Sequence, residues 1–466
     1  MKILYGLKDG AVLQRDEQGF CKCLFKADAN GEITSTMGDV ADLGNGDYVL
    51  TGIPTGGAYT FTLSDDDSRQ AFTVWVGDLW LLGGQSNMEG AGKENEWVKQ
   101  EAKNAAKEVR AYYVNGSWDR AAPVLHCPWL SSDEAVGGFW RRERRNSVWK
   151  NEDPYFYQDQ KVDVRAVGPG YYIAKRMYEI TGVPQGVIPC ALGGSGMEKW
   201  TKDAPLTDNL YVLMQRRFRE TGGFVRGMFW DQGETEAAYE NKGFTGKMQR
   251  FIADVRKDFG NEKLPVVQVQ IAQTAVPSIC NDIHSGIWWS FIKEEQRTMV
   301  EKIKNLVTVS AIDADYDDLI HYSAAFQEKM GIRCANAMAD MLGVGGAPVP
   351  VLDTITVDTD KAYTPCNCII RLHYKNVKNF VCTGRPSGFT VVDKEDDMQK
   401  VYNPAVGVQK IEWQDNIISI YTEIPVEKIK DAVVYYGFGH MAYCNIGTDA
   451  GYALAAMGPV CIGDFL

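Results

Sequence analysis

Four short stretches of this 466-residue chain place reactive side chains after glycines or at the end of apolar runs. The first is LWLLGGQSNMEGAG, residues 79–92. An apolar run stops at Gly83 and Gly84, and Ser86 follows between Gln85 and Asn87. Glycines there let the backbone turn sharply and approach a substrate closely. A serine that opens a helix has amide N–H groups beside it, suited to a developing anion. The same residues also suit a plain Ser/Asn helix cap. A phosphate cradle fits poorly, because neither G-x-x-x-x-G-K-[ST] nor G-x-G-x-x-G is present. The G-x-S-x-G nucleophile elbow is absent as well, since Met88 stands at its last position.

The second stretch is Gly193-Gly194-Ser195-Gly196, and the third is WDQGETEA, with Trp230, Asp231, Gln232 and Glu234. A neutral amide such as Gln232 can donate to an oxyanion, while Glu234 suits the first turn of a following helix. The fourth is DADYDDLIHYSAAF, where Asp318 precedes His321 by three residues. In a tight loop that spacing lets a carboxylate reach the imidazole Nδ1. Nε2 is then left to face a nucleophile. His126, His373 and His440 lack such a partner and read as structural, and His284 reads as a substrate contact. Together the loops supply a serine, an oxyanion glycine, an oxyanion amide and an Asp-His pair.

These loops need a scaffold that presents strand ends side by side. From about residue 74 to 345, buried apolar strands alternate with amphipathic helices, which implies a parallel sheet covered on both faces. In such sheets, sites form beyond the carboxyl ends of the strands. Residues 1–73 and 346–466 instead alternate apolar and polar residues between turn signals, as antiparallel β domains do. The expected organisation is therefore a β domain, an α/β catalytic domain and a second β domain. The segment 126–163, rich in Trp, Arg and Pro, is long for a connection and reads as a functional loop or lid.

Apolar residues make up 45% and charged residues 24%, as in a globular protein. The net charge of -12 argues against nucleic acid or an anionic membrane as main partner. The N-terminus lacks the apolar core of a signal peptide. The expectation is a cytoplasmic protein, or export with a leader that is not in this sequence. Eleven scattered cysteines show no zinc-ribbon spacing, so free thiols and no metal are expected.

GGQSNM, GGSGMEKW, WDQGETEA and DDLIH resemble the four blocks of SGNH-type esterases, and more closely the sialate O-acetylesterase branch with its acetylxylan esterase relatives. LKDGAVLQRD, VRAVGPGYYIAKRM, PSGFTVVDKEDDMQKVYNPAVGVQ and AVVYYGFGH extend the resemblance over nearly the whole chain. It implies a flavodoxin-like three-layer SGNH domain between two β domains, and a serine esterase without a cofactor. Ser86 would be the nucleophile, His321 the base and Asp318 its orienting acid. The Ser86 and Gly194 amides and the Gln232 side chain would form the oxyanion hole. Gln85, Asn87, Arg165, Trp200, Glu234 and His284 would face an acetylated carbohydrate. Trp129, Trp140, Trp230, Trp288 and Trp289 could add sugar stacking, and Arg141, Arg142, Arg144 or Arg145 a cation for a sialic acid carboxylate. This chain has His321-Tyr322 where the family has His-Pro, and Arg165 where serine is common. The alternatives are another acyl-sugar esterase or a non-catalytic carbohydrate-binding relative. Oligomeric state is not readable from the sequence.

Overall fold

The computed structural model describes residues 1–126, 167–239, 243–280, 283–359, 368–393 and 407–466. The chain forms two compact units, each assembled from separated stretches. The first comprises Met1–Gln232, Met248–Val267 and His321–Gly346. It opens with a four-stranded antiparallel sheet in the order Lys2–Tyr5, Phe20–Asp28, Asp47–Pro54, Asp39–Gly44. The strand Phe20–Asp28 buries every second residue, so Cys21, Cys23, Phe25 and Ala27 face inward, as a period of two requires.

One strand of 16 residues, Arg69–Gly84, links the β region to the α/β region. Its first half pairs antiparallel with Gly56–Ser64 and parallel with Val12–Gln14. Its second half, buried almost without interruption, is flanked by parallel strands Gln185–Pro189 and Gly227–Asp231. Continuous apolar character is what a strand covered on both faces needs. Val109–Tyr112 adds to Gln185–Pro189 in parallel. The edge strand Trp118–Arg120 runs antiparallel to it, so the sheet is mixed where the strand-helix alternation predicted parallel. The cause is local: Tyr113 N–H donates to Ser117 O at 2.8 Å, and a turn that tight returns the chain antiparallel.

Helices of this unit begin at polar caps or end at glycine. Gly170–Thr181 ends at Gly182, whose N–H reaches Tyr178 O at 2.8 Å. Leu210–Glu220 is capped by the Asn209 side chain. Ala324–Met341 is capped by Ser323, which accepts the Phe326 N–H at 3.2 Å.

The second unit comprises Gly233–Lys247, Gln268–Ile320 and Ala347–Leu466. Its C-terminal part holds a four-stranded antiparallel sheet in the order Val351–Asp358, Cys368–Lys375, Ile417–Thr422, Val408–Gln414. A three-stranded sheet, Phe389–Asp393, Ala432–Tyr436 and Met457–Cys461, lies in the same unit. Ile370, Leu372, Ile418, Ile420 and Val434 are fully buried in one shared core. The nine cysteines among the described residues are free thiols. Among the described residues no helix is long and apolar enough to cross a membrane.

Candidate active site

Three adjacent parallel strands of the first unit end side by side, and each delivers one of the loops. Asp231 pairs in register with Gly84, and Pro189 with Leu82. Gly84 has φ +126, and a Cβ there would stand 2.0 Å from the Asp231 carbonyl oxygen, so only glycine fits the turn. Gln85 N–H donates back to Asp231 O at 2.8 Å. The chain then makes a single helical turn, Ser86–Glu89, ended by Gly90.

Ser86 Oγ lies 2.9 Å from His321 Nε2. That distance is a hydrogen bond, and a base must stand this close to take a hydroxyl proton. The residues that follow the two side chains fasten them together. Asn87 Oδ1 accepts the Tyr322 N–H at 3.2 Å, and Gln327 Nε2 donates to Asn87 O at 3.1 Å. The Ser323 cap starts the next helix two residues after His321. The histidine is thereby held by a turn and a helix start.

The loop 192–195 lies beside this turn. Leu192 N–H donates to Gly84 O at 3.1 Å, and Ser195 Oγ donates to Leu192 O at 2.7 Å. Gly194 is exposed, and the space on its Cβ side is open. Gln232 follows the third strand and is buried, with Nε2 at 3.4 Å from both Gln85 Oε1 and Ser195 O. Both contacts are longer than the usual ~2.9–3.0 Å, so they are weak. A hydroxyl against an imidazole, with an open glycine loop and a buried amide nearby, has the parts for acyl transfer.

The family model described as "Carbohydrate esterase, sialic acid-specific acetylesterase" matches residues 76–340, which include all four loops. This chain belongs to that family. It is also 26% identical over 290 residues to the probable carbohydrate esterase of Arabidopsis thaliana, covering 60% of this chain and 96% of that one. Its fold is similar to the crystal structure of a carbohydrate acetylesterase from Xanthomonas citri, with a TM-score of 0.70 at 20% identity. That likeness covers 98% of this chain and 99% of the other. The family match indicates an esterase acting on carbohydrate.

In this carbohydrate esterase several expected substrate contacts are packed away. Gln85 and Asn87 are buried and hold neighbouring loops. Trp200 is fully buried, edge-on to Trp230 at 5.0 Å, and its Nε1 donates to Ser195 Oγ at 3.2 Å. It braces the Gly193-Gly196 loop through that bond, where the sequence suggested a sugar platform. Asp318, Glu234 and His284 belong to the second unit. There Asp318 Oδ1 accepts the Ile320 N–H at 2.8 Å, and Leu319 O accepts the Ala275 N–H at 2.7 Å. Glu234 is buried and opens the helix Glu234–Ala238, and His284 lies in the helix Ile283–Thr298. Arg165, Trp129, Trp140 and the arginines at 141, 142, 144 and 145 lie outside the described residues.

Two buried titratable groups lie beside the site: Glu89, not singled out by sequence, and His126, read from sequence as structural. Glu89, three residues after Ser86, accepts the Gly193 N–H at 2.5 Å through Oε2. Burial pushes its pKa up to about 8 against the pull of that hydrogen bond. His126 is buried near the Glu89 carbonyl, in a contact short of hydrogen-bond geometry. Burial, with help from the Arg217 charge, pulls its pKa down to about 3, so the ring is neutral. Glu89 had a sequence signal: a carboxylate three residues from a candidate nucleophile shares its helical face.

Proposed function

We propose that this chain is a serine esterase that removes O-acetyl groups from a sugar through an acetyl-Ser86 intermediate. Ser86 Oγ attacks the acetyl carbonyl carbon while His321 Nε2 takes the hydroxyl proton. The negative oxygen of the tetrahedral intermediate is held by the Ser86 and Gly194 N–H groups and the Gln232 amide. Collapse breaks the bond to the sugar oxygen, which leaves with the proton from His321. Water then gives a proton to His321 and attacks the acetyl carbon. The second tetrahedral intermediate breaks its bond to Ser86 Oγ, which takes that proton back from His321, and acetic acid leaves and ionises to acetate. Asp318, three residues before His321 in the chain, is assigned to orient the imidazole and steady its positive charge. Division into domains 1–73, 74–345 and 346–466 belongs to the same proposal.

The observation that carries this proposal is the 2.9 Å contact between Ser86 Oγ and His321 Nε2 at adjoining strand ends. The family description supports an acetylated sialic acid as substrate, and the 9-O-acetyl ester is the first one to test. Names of the Arabidopsis and Xanthomonas proteins support a carbohydrate ester more broadly, and acetylated xylan is the alternative substrate. Acetate release from 9-O-acetyl sialic acid, acetylated xylan and acetylated monosaccharides separates these substrates. Activity that survives in both Ser86→Ala and His321→Ala overturns the mechanism. Binding of these sugars without acetate release would instead mark a non-catalytic relative.

A further inference from the structure

Ser86 and Glu89 stand at the two ends of one helical turn. Ser86 turns to His321, and Glu89 turns to the main chain of Gly193. The Gly193 backbone is packed tightly there: a Cβ on it would lie 2.8 Å from Glu89 Oε2 and 3.5 Å from Ser86 Cβ. Gly194, the next residue, is exposed and open. Bonds from Leu192 and Ser195 fasten the ends of this loop, and Glu89 grips its middle.

Such a carboxyl is costly to the fold. It is buried, and among the described residues no cation pairs with it. Burying an acid on a single hydrogen bond is unfavourable, and a glutamine of the same shape would avoid most of that cost. Costs of this kind concentrate where function requires the geometry. Burial keeps the Glu89 carboxyl neutral up to about pH 8, so its carbonyl oxygen can accept the Gly193 N–H without adding charge beside an oxyanion.

We propose that Glu89 is a positioning residue that sets the Gly193-Gly194 turn against the nucleophile turn, so that the Gly194 N–H stays aimed at the oxyanion formed on Ser86. This rests on Ser86 being the nucleophile. Steady-state hydrolysis of p-nitrophenyl acetate by wild type, Ser86→Ala, Glu89→Ala, Glu89→Asp and Glu89→Gln tests it. Glu89→Ala is expected to lower kcat roughly a hundredfold, with KM changed less than about threefold, because misplacing a donor is felt in the transition state. Glu89→Asp keeps the acid but is one methylene too short, and its kcat should fall similarly. Glu89→Gln offers the same acceptor at the same reach and should recover most of the loss. Should Glu89→Ala fail to fold, Glu89→Asp and Glu89→Gln decide. If kcat for Glu89→Asp stays within about threefold of wild type, or the loss sits in KM alone, the positioning role is overturned. Full activity in Ser86→Ala would overturn the nucleophile assignment instead, and the two failures cannot be confused.

Discussion

Ser86 Oγ lies 2.9 Å from His321 Nε2 in the first unit, and Ser285 Oγ lies 2.8 Å from His440 Nε2 in the second. Distance alone does not tell these pairs apart; their surroundings do. Ser86 is partly accessible on a one-turn helix at a strand end, beside an exposed glycine loop. Ser285 is buried within the helix Ile283–Thr298 and donates its hydroxyl to the Ile279 carbonyl. A hydroxyl has one hydrogen. With that hydrogen committed to a carbonyl, the oxygen accepts from His440 Nε2–H, and a histidine that donates through Nε2 cannot act as base through it.

The second pair belongs to a clamp. Lys293, on the same helix, donates Nζ to the Gly437 and Gly439 carbonyls at 2.5 and 3.1 Å. Ser290 Oγ accepts the Gly439 N–H at 2.8 Å. Three side chains of one helix thus hold residues 437–440. Burial pulls the Lys293 pKa down to about 8. A serine-histidine contact becomes catalytic only with access, a correctly protonated imidazole and donors for the oxyanion.

The largest difference between the pairs should appear on mutation to alanine. Ser86→Ala should lower kcat roughly 10⁴-fold or more, as should His321→Ala, while Ser285→Ala should stay within about twofold. Acetate release measures all three, and equal losses at Ser86 and Ser285 would erase the distinction. Next in size is Gln232→Ala, expected to cost roughly a hundredfold in kcat, or ~3 kcal/mol, with little change in KM. A change in KM alone would place Gln232 in ground-state binding. In the second unit the expected effect is on stability. Ser285→Ala leaves a buried ring nitrogen without its acceptor and should cost roughly 1–3 kcal/mol, read from thermal or urea unfolding.

The last effect is a pH dependence. Glu89 has a folded pKa of about 8 against a usual value of 4.5. A group raised in this way contributes its full stability below the unfolded value and loses it as pH rises through the folded one. The wild type should therefore lose stability relative to Glu89→Gln between about pH 4.5 and 8, by roughly a few degrees in Tm. Parallel Tm profiles for the two proteins would refute a neutral buried Glu89.

Much of the site was legible because its signals are local. Gly83, Gly84 and the apolar run before them mark a strand end, and Ser323 marks the helix start after His321. What was not legible depends on contacts between distant residues. Trp200 looks like a sugar platform until Trp230 and Phe251 are seen packed against it. Asn87 looks like a substrate contact until Tyr322, 235 residues away, takes its oxygen. The grip of Glu89 on Gly193 spans 104 residues, and the pairing of Ser285 with His440 spans 155. The antiparallel edge strand Trp118–Arg120 was missed for a different reason: three residues are too few to show a period.

The most direct test is covalent. Folded protein treated with a fluorophosphonate probe and digested should carry the adduct on the peptide containing Ser86 and none on the peptide containing Ser285. His321→Ala should prevent the labelling, and heat-denatured protein should not react. An adduct on Ser285, or an unlabelled Ser86 in protein that releases acetate, would contradict the account.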